Sequence, residues 1–139
     1  MFDPYARDVG RMGETDRVED AYRFRTPMLR NVALTAPYGH NGAFPTLEAI
    51  IRHHVDPEAS LRAWQPAMAQ LPEAPWLAAT DFIIWQDRRE MERQNRVRDI
   101  QANPMTDADI ADLIAFMHAL TGTDSITKPE FGVPKGFRP

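Results

Sequence analysis

The side chains in this sequence best suited to chemistry are its four histidines, His40, His53, His54 and His118. An imidazole holds a metal ion or changes charge near neutral pH, so its surroundings decide its use. His54 closes the series Leu47, Ile50, Ile51 and His54, whose i, i+3, i+4 and i+7 spacing shares one helix face. The spacing predicts that His54 turns with this apolar stripe toward the interior. His53 lies about 100° away, on a flank beside Ala49. A histidine on an apolar face is either a core residue bonded to a backbone carbonyl or a ligand to a metal or haem iron. Spacing leaves both open. His118 falls off the stripe of Ile110, Ile114 and Met117 and is expected at the surface. His40 occupies the loop Pro37-Tyr38-Gly39-His40-Asn41-Gly42. Such a loop presents binding residues, or is an ordinary turn that uses Asn41-Gly42 for its geometry.

Other chemistries lack their residues. With no cysteine there is no disulfide framework, thiol nucleophile, zinc–cysteine site or C-x-x-C-H haem attachment within these 139 residues. No G-x-S-x-G elbow, H-E-x-x-H pair or phosphate-cradling glycine loop occurs. Asp107 and Asp109 read as first-turn charges favoured by a helix dipole. The carboxylates of Asp87–Glu92 alternate with arginines and read as a solvated helix face. A net charge of -4 argues against nucleic acid, which needs a basic excess to neutralise phosphates. No run of eighteen apolar residues spans a membrane, and no signal peptide is visible at the start. The cationic residues are fourteen arginines against two lysines. Arginine suits fixed, bidentate contacts with carboxylates, although high-GC coding produces the same bias.

The elements that must position these residues are helices separated by long loops. Residues 1–26 read as an irregular polar arm, and 27–45, bounded by prolines, as a loop with one short apolar run, Val32-Ala33-Leu34. Thr46 is a helix cap with Glu48 in the first turn, and the helix runs to about Val55, stopping before Pro57. A short helix is expected around Ser60–Ala63, within a proline-rich connection carrying Trp64 and Trp76. Residues 81–101 end in a solvated helix with sparse apolar positions at Met91, Val97 and Ile100. Thr106 caps the clearest helix, with Ile110, Leu113, Ile114, Met117 and Leu120 at helical spacing and Gly122 as its stop. The fold class is therefore mostly α with long loops, in a single domain of 139 residues.

One stretch is far more specific than these patterns. Phe24-Arg25-Thr26-Pro27-Met28-Leu29-Arg30-Asn31-Val32-Ala33-Leu34-Thr35-Ala36-Pro37-Tyr38-Gly39-His40-Asn41-Gly42, followed by Thr46-Leu47, resembles the signature of the C-terminal haem domain of bacterial dihaem cytochrome c peroxidases and MauG. Thr106–Thr121 resembles that family's closing helix, and the likeness covers roughly residues 8 to 124. It implies a partial cytochrome-c-like haem domain using haem c, with residues 1–23 as a polar lead-in and 124–139 as an extended tail. In the family the distal iron ligand, methionine or tyrosine, stands fourteen positions after the motif histidine. Here that position is His54, counted from His40. The resemblance further implies Arg30 and Arg25 as partners of haem propionates, with salt bridges that stiffen the loop as the alternative. Tyr38 and His40 would stand near the haem edge; catalytic residues are not assigned.

The sequence departs from the family where haem attaches. Only 23 residues precede Phe24, and none is cysteine. The expectation is a truncated or split product whose haem-bearing segment or second haem domain lies upstream, inactive alone as a peroxidase. Two alternatives are a module that completes a partner's haem pocket and a haem-free interaction domain that retains the scaffold. By family, the expected location is the periplasm and the expected electron donor a small cytochrome or cupredoxin.

Overall fold

Polar caps and prolines set where the helices of this chain start. A computed structural model describes residues 7–71 and 73–122. The described residues form α1 (Met12–Thr15), α2 (Leu47–Val55), α3 (Pro57–Ala63), α4 (Ile83–Gln86), α5 (Arg88–Arg96) and α6 (Asp107–Ala119). Turns of 3-10 helix lie at Val18–Asp20, Val32–Leu34 and Pro66–Met68. There is no β-strand among the described residues, only isolated bridges pairing Gly10 with Arg23 and Tyr38 with Phe44. The class is mostly α with long loops, as the residue pattern predicts.

Each principal helix opens on a side chain that satisfies an otherwise orphaned N–H. Thr46 Oγ1 accepts the Ala49 N–H at 3.1 Å to start α2. Asp56 ends α2 and caps α3, accepting from Ala59 N at 2.9 Å, with Pro57 at the first helical position. The short helix thus begins three residues before Ser60. Asp87 breaks the 81–101 segment, closing α4 and accepting from the Arg89 and Glu90 N–H groups at the start of α5. At α6, Thr106 and Asp109 form a reciprocal capping box.

α2 is the hub. It packs against α3 and α6, while α6 also meets the Val32–Leu34 turn. Arg52 Nη2 ties α2 to α6 through Asp107 Oδ1 at 2.8 Å, and Asn103 N donates to Val55 O at 2.8 Å. Among the described residues Tyr38, Phe44, Ile51 and Ile110 are buried, and Pro57 at the start of α3, so the core lies between the motif loop, α2 and α6. Many large apolar side chains remain at the surface, among them Phe24, Leu29, Leu34, Phe116, Met28 (71% exposed) and Trp76 (79% exposed).

The lead-in arm, expected to be irregular, is locally folded. It contains α1 and the Val18–Asp20 turn, and closes on itself where Arg11 N donates to Arg23 O (2.8 Å) and Tyr22 N to Val9 O (2.9 Å). α6 ends at Ala119, and Gly122 serves a tertiary contact in which its N–H donates to Asn31 Oδ1 at 2.8 Å. Residues 1–6 of the arm and the tail expected over 124–139 lie outside the described residues. No helix among the described residues is long and apolar enough to cross a membrane.

Candidate functional site

The two histidines at the end of α2 face the opposite way from the periodicity argument. His53 is half-buried, its ring 4.8 Å from that of Phe44 and its Nδ1 sharing a 3.0 Å hydrogen bond with the Ser60 hydroxyl. His54 is exposed. Where the pattern turned His54 inward, the structure turns His53 inward, because α3 folds back beside α2 and brings Ser60 to it. Ile51 is the buried member of the stripe; Leu47 and Ile50 are half-buried. Burial holds His53 below the usual imidazole range, and the neighbouring His54 and Arg98 charges act in the same direction.

His54 has one ring nitrogen engaged and the other without a partner among the described residues. A carbonyl oxygen can only accept, so the 2.8 Å contact with Ile50 O makes His54 Nδ1 the donor. Nε2 makes no hydrogen bond among the described residues, on a side chain that is exposed. A metal-bound histidine donates its other ring nitrogen to a carbonyl or carboxylate in just this manner. Among the described residues no three His, Asp or Glu side chains converge to hold a metal ion. A lone imidazole of this kind fits the axial position of a macrocycle that brings its own equatorial nitrogens.

The motif loop is held rigidly beside this helix. Tyr38 and Phe44 exchange backbone bonds of 2.7 and 3.1 Å, and the Tyr38 hydroxyl donates to Val32 O at 3.0 Å. Trp64 Nε1 donates to Ala43 O at 3.0 Å. Gly42 has φ +70°, and a Cβ there would come 3.1 Å from Pro37 Cγ, which explains a glycine at the turn. Tyr38, Phe44, His53 and His54 thus follow one another in contact, the last two with ring centroids 5.6 Å apart.

His40 is not part of that series. Its Nε2 donates to Asp8 Oδ2 at 2.6 Å and its ring lies 3.8 Å from that of Phe24, so it clasps the lead-in arm. Its hydrogen bond, with help from the Gly10 N–H, holds the Asp8 carboxyl below the usual carboxylate range. Arg25 and Arg30 are exposed and make no ion pair or hydrogen bond among the described residues, which leaves both forks available to an anionic group. His118 is exposed, as its register predicted.

Two features were not read from the residue pattern. Asn31, buried and at φ +60°, joins the motif to the closing helix: its N–H donates to Leu120 O at 3.1 Å and its side chain accepts from Gly122. Asparagine tolerates the left-handed region better than most residues, which is the signal that could have marked it. Glu90 corrects the picture of Asp87–Glu92 as a wholly solvated face, because it has 0% exposure. It accepts from Tyr22 Oη at 2.5 Å and pairs with Arg7 (3.3 Å) and Arg93 (3.2 Å). Composition cannot reveal this, since the arm that covers Glu90 lies 68 residues away at Tyr22.

The chain is similar to several known proteins. The chain is 51% identical over 47 residues to the cytochrome c peroxidase Ccp of Escherichia coli K12, covering 34% of this chain and 10% of that protein. It is 34% identical over 102 residues to the methylamine utilization protein MauG of Paracoccus denitrificans, covering 71% of this chain and 23% of MauG. The chain belongs to the cytochrome c peroxidase/MauG family. A third relative, the cytochrome-c peroxidase IdrP2 of Pseudomonas sp. SCT, is 31% identical over 96 residues, or 65% of this chain and 26% of its own length. This family member therefore spans between about a tenth and a quarter of these relatives. No family model matches the chain, and no solved structure matches it.

Proposed function

We propose that this chain is the haem-binding, electron-transfer portion of a cytochrome c peroxidase-like or MauG-like oxidoreductase, with His54 at the distal axial position. The observation that carries the reading is the hydrogen bonding of the exposed His54. Nδ1 is committed to Ile50 O, and Nε2 has no partner among the described residues. The position agrees with the ligand position that the motif implies, fourteen residues after His40. Arg25 and Arg30, exposed and unpaired among the described residues, suit the propionates. Tyr38, buried against the loop, would hold the haem edge at a fixed distance, and His40 would brace the arm beside it.

Haem c would supply one-electron redox chemistry; His54, Arg25, Arg30, Tyr38 and His40 would bind and orient it. The 139 residues contain no cysteine, so covalent attachment would use cysteines outside them. An upstream segment, a second haem domain or a partner chain would bring those cysteines and the proximal histidine. In this reading the protein works in the periplasm, receives electrons from a small cytochrome or cupredoxin, and does not reduce peroxide alone. The missing cysteines also favour a second reading, a non-enzymatic module that completes a partner's haem pocket.

Titration with haemin tests the ligand. The wild-type chain should shift the Soret band, His54→Ala should lose the shift, and His118→Ala should keep it. No shift in the wild type, or an equal one in His54→Ala, refutes the assignment. The intact denatured mass of the native protein separates the two readings. Covalent haem and a mass above 15.9 kDa fit the enzyme portion, whereas 15.9 kDa without haem fits the module. Imidazole is a stronger donor to ferric iron than thioether, so the haem protein should have a lower potential than a His/Met haem.

A further inference from the structure

α5 presents a row of uncompensated positive charge on a chain whose net charge is -4. Arg88, Glu92, Arg96, Arg89 and Arg93 fall within an arc of about 140° on this helix, opposite Glu90, Met91 and Gln94. All five are exposed, whereas Glu90 is buried and Met91 and Gln94 are half-buried. Arg93 bonds the buried Glu90. Arg88, Arg89, Arg96 and Glu92 make no ion pair or hydrogen bond through their side chains among the described residues. Three unpaired guanidinium groups therefore stand against one unpaired carboxylate.

This arrangement does not serve the helix itself. On α2 and α3 the i, i+4 pairs close, Glu48 with Arg52 at 2.8 Å and Glu58 with Arg62 at 2.5 Å. On α5, Glu92 stands at that spacing from both Arg88 and Arg96 and pairs with neither. Arg89 and Arg93, also at i, i+4, repel each other and weaken the helix. Arg88 and Arg89 occupy the N-terminal turn, where the macrodipole disfavours cations. The buried Glu90, gripped from the arm by Tyr22 and Arg7, fixes the helix so that its arginine face points outward.

We infer that the Arg88/Arg89/Arg96 face of α5 is a docking surface for a carboxylate-rich protein. The guanidinium fork pairs bidentately with carboxylates and is more weakly hydrated than an ammonium, so three forks on a rigid helix recognise an acidic surface. The inference does not depend on haem binding.

The test uses the full chain with two probes of one fold, a basic cytochrome c and the same protein succinylated on its lysines. Thermophoresis at low salt should show binding of the succinylated probe and not of the basic one. Raising the salt to about 0.15 M, where screening reaches within about 8 Å, should weaken that binding. The triple Arg→Gln variant at 88, 89 and 96 should weaken it roughly tenfold, and the triple Arg→Glu variant should abolish it. Arg62→Gln on α3 should leave it unchanged. Each single Arg→Gln variant should give a fraction of the triple effect, which keeps the test decisive should a triple variant lose its helical circular dichroism. Equal binding of both probes, or wild-type binding by variants that keep their helical signal, overturns the proposal. So does equally tight, equally arginine-dependent binding of oligothymidylate, which would make α5 a general polyanion surface.

Discussion

Replacing Glu90 by alanine is the sharpest perturbation this structure offers. The carboxylate is completely buried, accepts from Tyr22 Oη at 2.5 Å and Arg93 Nη1 at 3.2 Å, and pairs with Arg7 Nε at 3.3 Å. Removing one member of a buried ion pair typically costs about 3–5 kcal/mol because the partner charge is left stranded. Here the partners are not stranded, since the Arg7 and Arg93 side chains keep 22% and 48% of their exposure. Both cations can recover water, which cuts that share to about 1–2 kcal/mol. The Tyr22 hydroxyl loses its acceptor in a partly buried place, adding about 1 kcal/mol. The expected loss is therefore about 2–3 kcal/mol, against a typical domain stability of about 5–15 kcal/mol. With a urea m-value of about 1.5 kcal/mol/M, the midpoint should fall by about 1.3–2 M. Equilibrium urea unfolding followed by circular dichroism reads this directly. A midpoint within about 0.3 M of wild type would refute the claim that Glu90 anchors the arm to α5. Glu90→Gln adds a second readout. Burial raises the Tyr22 hydroxyl above its usual range, and the hydrogen bond and charge of Glu90 raise it further, with Arg7 and Arg93 opposing. Ultraviolet titration should find Tyr22 ionising at lower pH in Glu90→Gln, though still above the ordinary value because burial remains. The raised folded value means this stabilisation is present below the unfolded pKa of about 10 and is lost as pH rises through the folded one.

Three further outcomes follow from geometry. His53 should titrate below the ordinary imidazole range by NMR; its stabilisation is present above the unfolded pKa of about 6.5 and lost as pH falls through the folded one. His54→Ala should raise the His53 value only part of the way, because burial is the larger cause. Asn31→Gly should cost about 1 kcal/mol, from the lost bond to Gly122 N. Asn31→Ala should cost about 1 kcal/mol more, because φ +60° suits glycine and asparagine but not alanine; equal urea midpoints for the two would contradict the backbone argument. Thr106→Ala removes the capping box of α6 and should cost about 1 kcal/mol, seen as a melting temperature lower by about 3–6 °C.

The α2 and α6 starts were legible because a cap is a local event. Thr46 reaches the N–H of Ala49 and Thr106 that of Asp109, each three residues along the same chain. Asp56 and Asp87 do the same by equally local bonds, and reading them as caps would have placed α3 and α5 correctly. The motif from Phe24 to Gly42 is likewise a property of order along the chain, and it points to the family without reference to any tertiary contact. It also singled out Arg25, Arg30, Tyr38, His40 and His54, with the roles the resemblance implies. The contacts of His40 with Asp8 and Phe24, 32 and 16 positions earlier, are not legible in that order.

By itself, the sequence determined the helices, their caps, the family motif and the absence of cysteine. Only the tertiary structure decided which histidine of α2 is covered. Helical periodicity sets the angle between His53 and His54, but the direction of the interior depends on where α3 and α6 come to rest. Only the tertiary structure buried Glu90, because a carboxylate among arginines enters an interior when distant partners satisfy it, and those partners are Tyr22 and Arg7 of the arm. Local chemistry spans three or four residues and can be read in order; burial is a property of neighbours that the order of residues does not name.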